Sequence, residues 1–468
     1  MKFLNSHIHS PLLKVLLHLL FLLGIIFLSH TQRYEHFKLI GLYLSVFALL
    51  FILIKYQKSS VFELVVLSLA SRLLLWDYFP ALSQDFYRFI WDGMLNAKGF
   101  NVYVNLPQQL WESYRIEHNQ FTATLYQKMG ELSAQNYTNY PPFAQLIYTI
   151  LYKICGENIT AYVYGLRIVN WLAELSIFWF MWQLMRHFKI NLKSIFWLIL
   201  NPLILLELTG NLHFEAVMLC FFLGFLYFFL VKKRYYLSIL LLSLSIVSKL
   251  LPLIILPLIL SYRYHKNLRI SIIKGLFLCS LTLVMSLISY LYFVDQQLIS
   301  SYSESLGLWF STFEFNASIY YVLREIGYWM VGYNAIAFIG KLLAAVIFLS
   351  VMCISFWKYK RNKAEEFLKK MSLIFLIYFL LATTVHPWYL ILPLSLGIIN
   401  RVFLTKQLLL IWSATVILSY ASYKIKIVEE SAIILVIEYS LIYLIILKYL
   451  FLSFISRFGT SRSANPKA

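Results

Sequence analysis

Ionisable side chains gather in a few short stretches between long apolar runs. The stretch SQDFYRFIWDG places Asp85, Arg88 and Asp92 at helical spacing, so Arg88 is expected to pair with both carboxylates. A carboxylate that an arginine keeps ionised at a membrane boundary is suited to accept a proton from a reacting hydroxyl group. The alternative is an interfacial helix whose ion pairs face water and contribute little.

A second polar cluster lies in the stretch NPLILLELTGNLHFEA. Glu207, Asn211, His213 and Glu215 surround a tight connection at Gly210. His213 is either an interfacial histidine with a satisfied hydrogen bond or part of a substrate or acid-base site, since ionisable groups packed against a membrane bundle are costly. His213 and Glu215 are two residues apart and do not share a helix face, so these two residues do not indicate a metal site.

Further cations lie at three later positions. Lys249, in SKLLPLIILP, would be an unpaired ammonium near the bilayer centre if residues 236–261 formed one straight helix, at a cost of a few kcal/mol. We therefore expect two half-helices that turn at 248–252, with Lys249 at the turn and able to bind a phosphate. Arg324 follows FEFNASIYY, and HPWYLILP supplies His386, which is either a second group of an anion site or an ordinary interfacial residue.

The elements that position these residues must be membrane helices. Of 468 residues, 61% are hydrophobic, 13% are charged and four are cysteines, which excludes soluble enzymes, disordered chains and disulfide scaffolds. Segments of about 20 residues would give about 13–14 membrane segments, some of half length, and the backbone must be helical in lipid. The predicted fold class is an all-α polytopic transmembrane helical bundle, with interfacial helices in its first outer loop and a short re-entrant or interfacial run over 141–155.

The distribution of charge predicts the topology. The net charge of +19 comes mainly from Lys and Arg in loops that alternate with acidic loops, which is the positive-inside pattern. It predicts a multi-pass protein of the bacterial inner (plasma) membrane with both termini in the cytoplasm, the first apolar run being a retained helix rather than a signal peptide. The positive charge then faces anionic lipid, and no basic tract suggests nucleic acid. The two long loops, 80–140 and 295–333, are expected outside the cell, where chemistry would take place.

These motifs resemble those of the GT-C superfamily of integral membrane glycosyltransferases, specifically the polyprenol-phosphate-mannose-dependent mannosyltransferase-like group. The resemblance runs through SQDFYRFIWDG, GFNVY, NYPPFAQ, NPLILLELTGNLHFEA, SKLLPLIILP, FEFNASIYY and HPWYLILP. It divides the chain into a two-helix extension (1–60), a catalytic module (61–400) with outer loops 80–159 and 295–333, and C-terminal helices with a cytoplasmic tail (401–468).

The resemblance implies transfer of a hexose, mannose in this family, from a polyprenyl-phosphate sugar donor to a glycan, lipid or protein acceptor at the extracytoplasmic face, with inversion at the anomeric carbon. Asp85 fits the catalytic position alone because Gln84 stands where the family usually has a second acid, so no cofactor is expected and a divalent metal is not supported. The donor phosphate would be bound by Arg88, Lys249, Arg324 and His386. Substrate contacts would come from Asp92, Tyr140, Asn211, His213, Glu215 and Trp388.

The sequence leaves three other functions open. A secondary transporter or flippase would also have many helices, one of them broken, but it predicts an internal repeat and midplane charges, and we find neither in the sequence. A polymerase or ligase of lipid-linked glycans would use similar donors with a different acceptor. A purely structural role would leave Asp85 replaceable.

Overall fold

The computed structural model of the chain describes residues 10–262, 264, 266–357, 363–400, 403–424 and 428–459. Within these residues the chain is helical, and extended pairing is limited to two isolated bridges. Among the described residues, six helices are long and apolar enough to cross a membrane, or seven if the pair 192–199 and 202–210, bent by 47°, counts as one span. The expected all-α, multi-pass membrane fold is therefore confirmed. The six helices are Pro11–Ser29, His36–Lys55, Ile159–His187, Leu268–Ile288, Ile336–Phe356 and Ala432–Leu452.

The N-terminal third is a helical hairpin followed by a third helix and a long loop that contains short helices. The Ser10 hydroxyl caps the first helix by accepting a hydrogen bond from the Leu13 N–H, and Ser60 and Glu63 form a capping box at the start of the third. The helices are α1 (Pro11–Ser29), α2 (His36–Lys55), α3 (Val61–Leu74), α4 (Asp85–Ala97), α5 (Pro107–Glu112), α6 (Gln120–Lys128), α7 (Glu131–Ala134) and α8 (Pro142–Cys155). The last of these is the predicted short run, which Pro142 begins.

A glycine allows α4 to lie directly against α8. A Cβ atom on Gly93 would be 2.4 Å from the carbonyl oxygen of Tyr148, so a larger residue would push the two helices apart. The Tyr162 hydroxyl joins the pair by donating hydrogen bonds to the Tyr148 and Phe89 carbonyls, at 2.7 and 3.2 Å. This packing fixes the helix that begins at Asp85.

The middle third contains the two predicted half-helices. The first of them, Tyr235–Ser248, is followed by Lys249 in an extended conformation (φ −160°, ψ 132°), and a short 3₁₀ helix begins at Leu251. The chain then returns, since the rings of Tyr235 and Tyr264 at the two ends lie 5.3 Å apart. The elements here are α9 (Ile159–His187), a 3₁₀ turn (Leu192–Ile195), α10 (Phe196–Ile199), α11 (Pro202–Ile204), a π-helix (Leu205–Gly210), α12 (Glu215–Leu226), a π-helix (Tyr227–Val231), α13 (Tyr235–Ser248), a 3₁₀ helix (Leu251–Ile255) and α14 (Leu256–Leu260).

The C-terminal third brings the second long loop onto the first. The Asn101 side chain donates to the Phe293 carbonyl at 2.9 Å, and the Ser305 hydroxyl donates to the Tyr137 carbonyl at 2.9 Å. The two long loops thus form one face of the molecule, which we call the loop face. The elements are α15 (Leu268–Ile288), a 3₁₀ turn (Leu291–Phe293), α16 (Leu298–Ser311), α17 (Ile319–Val331), α18 (Ile336–Phe356), α19 (Lys363–Leu381), a 3₁₀ helix (Pro387–Leu390), α20 (Ile391–Ile399), α21 (Phe403–Thr415), a 3₁₀ helix (Val416–Ser422) and α22 (Ala432–Gly459).

Several of the expected segments are too short to cross a membrane on their own. Shorter apolar helices cover 215–231, 235–248, 251–260 and 387–399, so the estimate of about 13–14 segments includes many partial ones. The chain ends at 1–9 and 460–468, expected in the cytoplasm, lie outside the described residues. The proposed boundaries at 60 and 400 and the orientation in the membrane stay predictions.

Candidate active site

One cavity of about 1010 Å³ lies at the loop face and gathers residues from distant parts of the chain. Its walls come from α4, from the turn at Lys249, from α16, α18 and α19, and from the segment that contains His386. Of the eleven predicted site residues, seven line it: Asp85, Arg88, Tyr140, Lys249, Arg324, His386 and Trp388. The other four, Asp92, Asn211, His213 and Glu215, are buried behind its wall.

Asp85 begins α4 and its side chain is 31% exposed, toward the cavity. A carboxylate in the first turn is stabilised by the helix dipole. Its Oδ2 atom lies 3.4 Å from the hydroxyl of Tyr140, which donates to it, and 3.8 Å from Nδ1 of His213. Burial and the adjacent Asp85 carboxylate raise the pKa of Tyr140, so this hydroxyl stays protonated as a donor. The Asp85 carboxylate is thus held in place while part of it remains open to a substrate.

Arg88 does not pair with Asp85, contrary to the sequence-based expectation. Its Nε donates to Oδ1 of Asp92 at 2.7 Å, and its Nη1 donates to the carbonyls of Ser133 and Asn136, which turn the guanidinium away from the start of the helix. The Nη2 atom is buried and has no hydrogen-bond partner, although Arg88 lines the cavity. The cavity wall therefore contains a guanidinium with an unused donor.

Asp92 is the buried ion-pair partner of Arg88. Its side chain is fully buried, and Gln145 donates to its second oxygen, Oδ2, at 2.9 Å. Both carboxylate oxygens are therefore engaged inside the protein. The structure does not bring Asp92 to the cavity, where the sequence-based prediction assigned it a substrate contact.

Lys249 reaches the cavity from the turn between the two half-helices. Its ammonium group forms an ion pair with Oε1 of Glu215 and lies 4.7 Å from the centroid of the Tyr389 ring. The Lys249 side chain is 25% exposed and that of Glu215 is 3% exposed, and the second Glu215 oxygen is buried without a partner. The position of Lys249 agrees with the prediction, whereas Glu215 is the counter-ion of this lysine and not part of the cavity surface.

A stack of rings separates the cavity from the buried polar cluster. Trp388 lies between His213 and His386, with ring centroids 3.8 and 4.5 Å away. Burial, together with the nearby Lys249 and His213, lowers the pKa of His386 to about 3. His386 is therefore neutral near pH 7 and would contact a phosphate as a hydrogen-bond donor, not as a cation.

Behind this stack, Glu207 organises the cluster that follows the π-helix. Asn211 donates to its Oε2 at 3.0 Å, Tyr420 donates to its Oε1 at 2.8 Å, and Nε2 of His213 lies 3.3 Å from Oε2. Asn211 also accepts a hydrogen bond from the Leu82 N–H at 3.3 Å, which ties the cluster to the loop before Asp85. Glu207 was noted in the sequence as part of a cluster, but its contact with Tyr420, more than 200 residues away, has no local signal.

Arg324 also lines the cavity, and its charge is balanced by two carboxylates. Its Nη1 donates to Oε1 of Glu314 at 2.6 Å, its Nη2 donates to Glu325 at 2.9 Å, and its guanidinium covers the Tyr321 ring at 4.4 Å. A group paired with two carboxylates is a weaker phosphate ligand than Arg88 or Lys249. Sequence reasoning did not single out several other residues of the cavity wall, among them Arg33, Tyr423 and Glu430.

Part of the cavity wall is apolar. Leu250 and Ile254 from the turn, Phe310 from α16, and Leu343 and Ile347 from α18 belong to this part. A cavity lined by both charged and apolar side chains suits an amphiphilic ligand. Within the described residues, no group of three or more His, Cys, Asp or Glu side chains is placed to hold a metal ion.

Comparisons with known proteins relate this chain to one enzyme family. The family model described as "Alpha-(1->6)-mannopyranosyltransferase, N-terminal domain" matches residues 19–264. Alpha-(1->6)-mannopyranosyltransferase B of Corynebacterium glutamicum is 28% identical over 145 residues, which are 31% of this chain and 23% of that protein. Alpha-(1->6)-mannopyranosyltransferase A of the same organism is 23% identical over 193 residues, 40% of this chain and 36% of that protein. The matched parts thus span about a quarter to a third of these relatives, and no solved structure matches.

Proposed function

Because the chain belongs to the alpha-(1->6)-mannopyranosyltransferase family, we propose that it transfers mannose from a polyprenyl-phosphate donor to an acceptor at the extracytoplasmic face, forming an α-(1→6) linkage. The observation that carries the proposal is the placement of Asp85 and Lys249 on one cavity at the loop face. Sugar transfer from a phosphate needs a base at one side of the anomeric carbon and cations at the other.

Asp85 is the base in this proposal. The acceptor hydroxyl attacks the anomeric carbon as the bond from that carbon to the phosphate oxygen breaks, and the hydroxyl proton passes to the Asp85 carboxylate. Tyr140 donates to Oδ2 of Asp85 at 3.4 Å and so holds the carboxylate in place while it takes up the proton. The aromatic ring of Tyr140, on the cavity wall, offers a surface for a sugar ring, whereas both faces of the Trp388 ring are covered by His213 and His386.

The departing phosphate is stabilised by Lys249 and Arg88. Lys249 is a quarter exposed and has one carboxylate partner, so it can contact a phosphate without leaving Glu215. Arg88 also lines the cavity, but its unpartnered Nη2 atom is buried, so its guanidinium acts on the phosphate mainly through its charge. The apolar part of the cavity wall, which includes Leu250, Phe310 and Leu343, would contact the first isoprene units of the donor lipid.

A transporter is less well supported by the same residues. A transporter needs a site that opens in turn to both sides, and its ionisable groups lie near the bilayer midplane. Here ionisable residues of the cavity wall, among them Asp85, Lys249, Arg324 and Glu430, lie together with residues of the two long loops in one cavity at the loop face. A polymerase or ligase of lipid-linked glycans differs from the proposed enzyme in its acceptor, so acceptor choice distinguishes them.

The test is an assay of purified protein with polyprenyl-phosphate mannose, polyprenyl-phosphate glucose and GDP-mannose as donors and an alkyl α-mannoside as acceptor. We expect transfer from the first donor alone and a loss of about 10²–10⁴-fold in Asp85→Asn, the usual size of a general-base contribution. Asp295→Asn, on an exposed site of the second loop, is the matched control. Transfer from GDP-mannose, or full activity of Asp85→Asn, would refute the proposal.

A further inference from the structure

We propose that His213, oriented by Glu207, receives the proton that Asp85 takes from the acceptor. This inference rests on the proposed function, and it makes His213 and Glu207 positioning residues that act through Asp85. Neither residue lines the cavity: His213 is 2% exposed and Glu207 is fully buried. Direct contact of His213 with a substrate, as the sequence suggested, is therefore not possible without a rearrangement of the wall.

The imidazole of His213 lies between two carboxylates. Its Nδ1 is 3.8 Å from Oδ2 of Asp85 and its Nε2 is 3.3 Å from Oε2 of Glu207. Distances in a site without substrate are often longer than those in the working complex. The order of groups is acid, imidazole and acid, which is the arrangement that lets a histidine accept a proton on one nitrogen while the other donates to a fixed carboxylate.

The surroundings fix the imidazole ring. Trp388 stacks on it at 3.8 Å with an angle of 18° between the rings, and the backbone N–H of His213 donates to the backbone carbonyl of Glu207 at 3.0 Å. Leu212, just before it, has φ +64°, a backbone conformation that non-glycine residues rarely adopt. Such strained positions persist where the surrounding structure holds them, and they concentrate at functional sites.

Glu207 determines which nitrogen of His213 carries the proton. Tyr420 and Asn211 donate to Glu207, so its oxygens act as acceptors. Nε2 of His213 is buried and makes no hydrogen bond in the structure, but Oε2 of Glu207 lies 3.3 Å from it. In the working complex this carboxylate would stabilise a hydrogen on Nε2, which leaves the Nδ1 lone pair for Asp85. This tautomer is the one that can take a proton from Asp85.

The proton balance of the step is as follows. The acceptor oxygen bonds to the anomeric carbon, the bond from that carbon to the phosphate oxygen breaks, and the lipid phosphate leaves with the electron pair. The hydroxyl proton passes to Oδ2 of Asp85, which lies 3.8 Å from Nδ1 of His213, and from this oxygen to Nδ1, so an imidazolium remains between the carboxylates of Asp85 and Glu207. After the products leave, the proton returns through Asp85 to water in the cavity, because His213 has almost no exposure of its own.

The experiment compares His213→Gln, Glu207→Gln and the double variant in the mannosyl-transfer assay, with His30→Gln, at an exposed site, as control. We expect kcat of His213→Gln to fall about 100-fold and that of Glu207→Gln about 10-fold, with the KM of the donor unchanged. The double variant should be no slower than His213→Gln, since both residues act in one unit. Added imidazole should restore part of the activity of His213→Gly, whose missing side chain leaves space beside Asp85.

The outcomes separate this inference from the proposed function. If Asp85→Asn is inactive while His213→Gln and Glu207→Gln keep parental kcat, the relay is wrong and the base assignment stands. If Asp85→Asn is active, the base assignment fails and the relay fails with it. If the His213 variants do not fold, the isosteric Glu207→Gln decides, and a parental kcat in that variant overturns the inference.

Discussion

The ion pair of Lys249 and Glu215 allows the structural and substrate-binding roles of one lysine to be separated. Replacing Lys249 with glutamine leaves the Glu215 carboxylate, 3% exposed, without its counter-ion. Removing one partner of a buried ion pair costs about 3–5 kcal/mol, and because the Lys249 side chain is 25% exposed we expect about 3 kcal/mol. The double variant Lys249→Gln with Glu215→Gln has no charge left at this pair of positions, so it should regain most of the lost stability.

Donor binding should respond differently. Both the single and the double variant lose a charge-assisted hydrogen bond to the donor phosphate, worth about 1.5–3 kcal/mol. This corresponds to a roughly 10- to 150-fold higher Kd for the polyprenyl-phosphate donor. Stability is therefore restored in the double variant while donor affinity is not.

The measurements are thermal unfolding in detergent and binding of a polyprenyl-phosphate mannose. Lys98→Gln, at an exposed site after α4, is the matched control. Parental donor affinity in the double variant would remove Lys249 from the phosphate site. Parental stability of Lys249→Gln would contradict the account of Glu215 as a buried carboxylate that needs this counter-ion.

Three further predictions concern charge and topology. Burial lowers the pKa of His386 from 6.5 to about 3, so the unfolded chain takes up this proton at a higher pH than the folded protein does. Stability, measured as the unfolding temperature, should therefore fall as the pH is lowered from about 6.5 toward 3. His386→Asn should make this fall smaller. Burial and the nearby Glu314 raise the pKa of Glu430 from 4.5 to about 7, so its contribution to stability should be lost as the pH rises from about 4.5 through 7, and Glu430→Gln should remove that loss. In a cysteine-free background, Lys266→Cys should react with an impermeant maleimide from the cytoplasmic side and Asp295→Cys from the outside. An unaltered pH slope in either variant, or labelling of both cysteines from one side, would contradict these assignments.

The sequence was sufficient to predict the fold class and the break at Lys249. Apolar runs of membrane length without alternation allow helices, and a lysine followed by Pro252 in the middle of such a run disfavours one straight span. The half-length helix at Pro142 was likewise predicted from its length and its prolines. These features depend on local sequence, which is why the sequence alone predicts them.

The partners of the charged side chains could not be predicted from local sequence. Helical spacing permits Arg88 to contact Asp85 or Asp92, and only the carbonyls of Ser133 and Asn136 decide in favour of Asp92. The sequence indicated a substrate contact for Glu215, whereas in the structure Glu215 pairs with Lys249, which is 34 residues away in the chain. Contacts of this kind arise from the packing of distant segments, and a single sequence carries no signal for them.

The most direct test of a shared site for base and phosphate is a structure of the protein with a non-transferable polyprenyl-phosphonate mannose. The account predicts that the phosphonate lies within ion-pair distance of Lys249 and Arg88, that the lipid runs beside Leu250 and Phe310, and that the anomeric carbon faces Asp85. A ligand bound outside this cavity, or bound with its phosphonate against Glu314 and its sugar remote from Asp85, would contradict it.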